Sequence, residues 1–187
     1  MASTGDVDVK KLVTLAVLAA AALMSTTPAA AQSPAQSAPC ADPLYAGQDF
    51  TVGTWDVYSN GKKSAEVKME KVLDSCAIHE TWTVEPGRKG NGIGLFVYSS
   101  LLKGWSYLWA SDTGATTAFT GQIIKPGEIR YVTEKPLGDG KVRLRHWSLI
   151  QLPDGKVREL SVGTEDGGAT WTTEYDLLWV KKGSAAP

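Results

Sequence analysis

The stretch Asp49-Phe50-Thr51-Val52-Gly53-Thr54-Trp55-Asp56-Val57-Tyr58 decides how the rest of this chain is read. Its aromatic and β-branched residues alternate with polar ones at a period of two, which predicts a β-strand over 49–58. Thr54, Asp56 and Tyr58 then point to one side, and Trp55 and Val57 to the other. Asn60-Gly61 follows at once, a strong signal for a tight hairpin turn.

From that first strand the pattern repeats to the end of the chain. Strands are predicted over 64–73, 77–84, 93–99, 105–110, 116–122, 128–134, 141–152, 156–164 and 170–181. They are separated by Asp74-Ser75, the glycine-rich loop 85–92, Asp112-Thr113-Gly114, Lys125-Pro126-Gly127, Gly138-Asp139-Gly140 and Pro153-Asp154-Gly155. No part of 49–182 carries a helical period long enough to matter. About ten strands joined by short turns describe an all-β, single antiparallel up-and-down meander, which hides its edges best by closing into a barrel. A β-sandwich is the alternative, and it would want longer crossovers than these turns provide.

The N-terminal part reads differently. Lys10-Lys11, the apolar run Leu12–Met24 and the small-residue close Pro28-Ala29-Ala30-Ala31 match a secretory signal peptide over 1–31, cut after Ala31. Asp6 and Asp8 are unusual in such a leader and leave a later start of translation open. The apolar run is short for a transmembrane helix. Residues 32–48 read as a flexible segment and 183–187 as a disordered tail, flanking a barrel domain over 49–182. Ser37-Ala38-Pro39 lacks the aliphatic residue that a lipid-attachment signal places three before its cysteine, so no membrane anchor is expected in the mature protein.

Cys40 and Cys76 are the only cysteines. In the periplasm or medium two thiols most often pair, and a bridge would fasten the N-terminal tail to the loop after the second strand. Two free buried thiols are the other reading. The formal net charge of -1 argues against nucleic acid as a partner.

Gly53-Thr54-Trp55 resembles the G-x-W of the first strand of lipocalins and fatty-acid-binding proteins, whose tryptophan plugs one end of a barrel. With VLDSCAIHETW (72–82), GWSYLWASDTG (104–114), LPDGKVREL (152–160) and EDGGATWTTEYDLLW (165–179), the region 49–182 resembles a family of uncharacterised, lipocalin-like secreted bacterial domains. The resemblance implies a calycin-type barrel and brings no activity with it. Nitrobindin-like haem barrels share the architecture, but their histidine motif has no counterpart here.

Catalytic constellations are absent from the sequence: there is no G-x-S-x-G, no phosphate-cradling loop and no metal-ligand spacing, and no cofactor is expected. Thr164–Trp171 fits a single Asp-box hairpin, which reads as a turn stapled by Asp166 and covered by Trp171. Asp112 reads as the cap of its own turn, with a role at the barrel mouth as the other reading. What remains is seven tryptophans and two histidines. Trp105, Tyr107 and Trp109 share a face, as do Trp171, Tyr175 and Trp179. Glu80 shares its face with Ile78, Trp82 and Val84, where a carboxylate would hold its proton tightly. His146 lies among Val142, Leu144, Ser148, Ile150 and Leu152.

Aromatics in a barrel are core first, but this many also suit a cavity for a flat or apolar ligand. Glu80, Trp82, Trp109, Tyr131 and His146 are the residues expected to line it. The expected function is non-catalytic binding of a small apolar or aromatic molecule. One alternative is an isomerase or lyase using Glu80 or His146 for proton transfer. Another is a filled barrel that acts as an envelope interaction module.

Overall fold

A computed structural model describes residues 40–138 and 140–187. The expected leader over 1–31, and the part of the flexible segment before Cys40, lie outside these residues. Ten strands follow one another: β1 (Gly53–Ser59), β2 (Lys62–Val72), β3 (Ala77–Val84), β4 (Gly92–Ser99), β5 (Gly104–Ser111), β6 (Thr116–Lys125), β7 (Glu128–Pro136), β8 (Val142–Gln151), β9 (Val157–Thr164) and β10 (Thr172–Lys181). Each pairs antiparallel with its sequence neighbour, and β10 returns to β1 to close the barrel. Closure removes both sheet edges. Trp55 is the seam residue, opposite Val67 on β2 and Lys181 on β10.

The hairpin chemistry behaves as the sequence dictates. Asn60 and Gly61 both take positive φ, 49° and 72°, the twist that a two-residue antiparallel turn needs. Side chains alternate in and out along each strand. Trp55 and Val57 of β1, Ala65, Val67 and Met69 of β2, and Trp105 and Tyr107 of β5 are all buried inside.

Two expectations need correction at the start of the domain. The strand does not run from Asp49, because Asp49–Thr51 forms a 3-10 turn. The Thr51 hydroxyl donates to the Gln48 carbonyl at 2.9 Å, and the Trp55 indole N–H donates to the Thr51 carbonyl at 2.7 Å. These local bonds compete with strand pairing and win. Nor is 40–48 a loose tether. Cys40 is bonded to Cys76 in the β2–β3 turn. Pro43–Ala46 makes a further 3-10 turn, with Asp42 accepting from the Leu44 N–H at 2.8 Å. Tyr45 then packs edge-on against Tyr98 with ring centroids 5.0 Å apart.

This segment plugs one end of the barrel. Gln48 is fully buried and accepts from the Tyr131 hydroxyl. Beneath the plug lie Met69, Ile78, Ile129, Leu149 and Val157, all fully or almost fully buried. The disulfide spans a sequence separation of 36 residues, a loop whose closure restricts the unfolded chain by about 3–4 kcal/mol in the chain-entropy account.

Halfway along the barrel an aromatic floor crosses the interior. Phe96 stacks on Tyr107 at 4.0 Å between centroids with planes 8° apart, and Tyr107 stacks on Trp147 at 4.9 Å. Tyr131 and Phe119 pack around them. Glycine makes this possible at two interior positions. A Cβ on Gly121 would lie 2.3 Å from the Tyr131 ring, and one on Gly94 would lie 2.5 Å from both Tyr107 and Glu80. The rings therefore lie against bare backbone across the sheet.

Candidate functional site

Above the floor the barrel is open. A cavity of about 570 Å³ occupies this half, walled by Trp82, Tyr107, Trp109, Phe119, Trp147 and Tyr175 among others. Its mouth lies at the end that carries the β1–β2, β3–β4 and β5–β6 turns, with Ser59, Arg88, Lys89, Gly90 and Ala115 on the rim. The β3–β4 loop is held over this end by Asp112, which accepts from the Gly90 N–H and the Asn91 side-chain amide, each at 2.9 Å. Asp112 thus ties the neighbouring loop rather than capping its own turn.

Two carboxyl groups line the cavity deep inside. Glu80 on β3 is only 2 % exposed, because its register places it inward between Met69 of β2 and Gly94 of β4. Its Oε2 accepts from the Tyr107 hydroxyl at 2.6 Å. Its Oε1 has no hydrogen-bond donor among the described residues. Burial pushes the Glu80 carboxyl up to about 8; the Tyr107 bond works against that shift and the neighbouring Glu159 adds to it.

Glu159 on β9 is 6 % exposed. Its two oxygens accept one each from the indole N–H groups of Trp147, at 2.9 Å, and Trp179, at 2.8 Å. Burial raises it to about 7, with those N–H bonds opposing. Near neutral pH Glu80 therefore holds a proton that an ordinary carboxyl has lost, and Glu159 is close to its midpoint.

The cations around the chamber are differently placed. Arg145 lines it but is paired with Glu174 at 2.5 Å. Glu174 also pairs with Arg143 at 2.6 Å and accepts from the Ser161 hydroxyl at 2.8 Å. Arg88 and Lys89 sit on the rim and make no ion pair among the described residues.

Of the residues singled out from sequence, Glu80, Trp82 and Trp109 come together on the cavity wall. Tyr131 is inside the barrel but lies in the packed half, fully buried, with its hydroxyl committed to Gln48. His146 is a correction. It faces outward between Val132 and Val162, and its ring lies 4.3 Å from that of Trp171. Burial and the nearby Arg130 lower its proton affinity. The sequence misleads here because the outward positions of β8 include Leu144 and Ile150, so both faces of the strand carry apolar residues.

Trp171 is likewise outside, away from Tyr175 and Trp179, and it is 39 % exposed. A register shift between Thr173 and Tyr175 breaks the alternation that would have joined them. The Asp166 staple behaves as read. Its carboxylate accepts from the Thr164 hydroxyl at 2.6 Å and the Thr170 N–H at 2.9 Å, and the Trp171 N–H caps Gly168.

Sequence reasoning missed Glu159, Trp147 and Arg145. Glu159 alternates with Arg158 and Leu160, and Leu160 and Val162 make the opposite face look like the interior. The pairing of Trp147 with Ser161, which sets the phase, is visible only once the strands are in register. Among the described residues no group of three or more His, Cys, Asp or Glu could hold a metal ion, and no helix is long and apolar enough to cross a membrane. No protein-family model matches this chain, and no curated protein matches it above chance.

Proposed function

We propose that this barrel binds a small, flat, largely apolar molecule in its open half, without catalysing a reaction on it. The carrying observation is the cavity of about 570 Å³ with aromatic walls, a packed floor and a mouth at one end of the barrel. That size lies within the range of small-molecule pockets, roughly 300–1,000 Å³, and so does the pattern of apolar walls with few polar anchors. The same cavity disfavours the filled-barrel reading.

Titration of the protein with 1-naphthalenemethanol, followed by quenching of tryptophan fluorescence, tests this. Saturable quenching is expected, since Trp82, Trp109 and Trp147 line the cavity. A linear, non-saturating response up to the solubility limit would remove the binding reading.

One observation favours proton-transfer catalysis as a second reading: Glu80 is held near 8, close to the operating pH of a general acid or base. His146 cannot share that role from the outer face. The export reading rests on the leader-like pattern of 1–31, and the Cys40–Cys76 bond suits an oxidising compartment outside the cytoplasm. Intact mass of the protein recovered from the cell exterior or periplasm should fit a chain beginning at Gln32. A full-length mass in the cytoplasm would contradict it.

A further inference from the structure

The chamber has a chemical asymmetry beyond its shape. Its deep wall carries two carboxyls, and no cation is among the groups that act on either of them. Arg145, the one cationic side chain on the strand wall, is engaged by Glu174 at 2.5 Å. Arg88 and Lys89 belong to the rim loop. The ionisable groups around Glu80 are Tyr107, Tyr131 and Glu159, with Tyr175 beside Glu159, and none of these can supply positive charge.

Given that the chamber binds a small molecule, we propose that its ligand is an organic cation: a protonated amine carried on a flat apolar ring, with the nitrogen against Glu80 and Glu159. Three features converge on this. Glu80 is 98 % removed from solvent by its 2 % exposure, lines the cavity, and leaves Oε1 without a donor among the described residues. An ammonium brings three donors and the missing positive charge. Glu159 already accepts two indole N–H bonds, one on each oxygen, an arrangement suited to an acceptor-only carboxylate. Its surroundings are thus built to hold it ionised once a cation arrives. The rings of Trp82 and Trp109 on the same wall can add cation–π attraction.

In the empty chamber Glu80 keeps its proton up to about pH 8, as burial requires. The ligand's ammonium would replace that proton, so binding should release it to solvent. A ligand that instead accepts a hydrogen bond from a neutral carboxyl would show the opposite pH dependence.

Isothermal titration with three probes that share one ring separates these cases: 1-naphthylmethylamine, 1-naphthalenemethanol and 1-naphthoate. The amine should bind about tenfold or more tighter than the alcohol near pH 8. Its affinity should fall by up to about tenfold per pH unit on acidification towards pH 5.5, while that of the alcohol stays level. Glu80→Gln, which preserves shape, should collapse the amine-to-alcohol ratio towards about one at that pH if Glu80 supplies the charge. Thermal melting of the variant confirms that it is folded. The pH series on the unaltered protein tests the same point independently. Equal binding of amine and alcohol overturns the cation assignment and leaves the pocket reading standing. Preferential binding of 1-naphthoate overturns it in favour of the rim cations. Failure of all three to bind removes both readings.

Discussion

The two halves of this barrel are made by the same strands, yet they solve different problems. In the plugged half most interior groups find partners within the chain, although Gln48 Nε2 and Trp105 Nε1 have none among the described residues. Tyr131 meets Gln48, Trp55 meets Thr51, and the aliphatic layer of Met69, Ile78, Ile129 and Leu149 is sealed by the segment that Cys40 anchors. In the open half the walls are equally aromatic, but Glu80 has an oxygen with no donor among the described residues, and a cavity stands where a plug would be. Packed cores stabilise, whereas voids lined by polar groups cost stability unless something fills them. The comparison teaches that stability is concentrated on one side of the Phe96–Tyr107–Trp147 floor and binding capacity on the other.

The largest expected effect tests that division through stability. Phe96 is completely buried and stacks on Tyr107 and Trp147. Phe96→Ala should cost about 3–5 kcal/mol in denaturant unfolding. Trp109 is as bulky but lies half-buried on the cavity wall, and Trp109→Ala should cost only about 1–2 kcal/mol. Equal losses would erase the distinction between the halves.

A smaller effect comes from pH. Glu80 and Glu159 have folded-state values of about 8 and about 7, above the ordinary 4.5. The folded protein therefore binds more protons than the unfolded chain across that window. The stabilising contribution is complete below about pH 4.5 and is lost as pH rises through 7 and 8. Urea midpoints should fall over that range, by on the order of 1–3 kcal/mol in unfolding free energy. Glu80→Gln should flatten the profile. A profile that rises from pH 5 to 8, or is unchanged in the variant, would show that Glu80 is not held protonated.

Much of the architecture was legible because it depends on local rules. Period-two alternation, Asn60-Gly61 and Pro153-Asp154-Gly155 locate strands and turns without tertiary knowledge, and two cysteines leave one pairing. The inward face of Glu80 was also legible, since Ile78 and Trp82 flank it at the same phase. What escaped was set by distant contacts. Gln48 is a plug only because Tyr131, 83 residues away, reaches it. Glu159 and His146 lie on strands whose two faces are both rich in apolar residues, so composition could not phase them. Trp171 left its expected face through a bulge that no residue pattern announces.

The central claim is that the open half is a binding chamber whose emptiness the fold does not need. Thr117 lines that chamber on β6, beside Trp109 in register, and is only half-buried. Thr117→Trp places an indole where a ligand would sit, in a strand that tolerates aromatic residues. Calorimetric titration of this variant with 1-naphthalenemethanol, alongside its unfolding curve, is the most direct test. The account predicts binding weakened by about tenfold or more, with stability within about 1 kcal/mol of the parent. Undiminished binding in a variant that remains folded would contradict it.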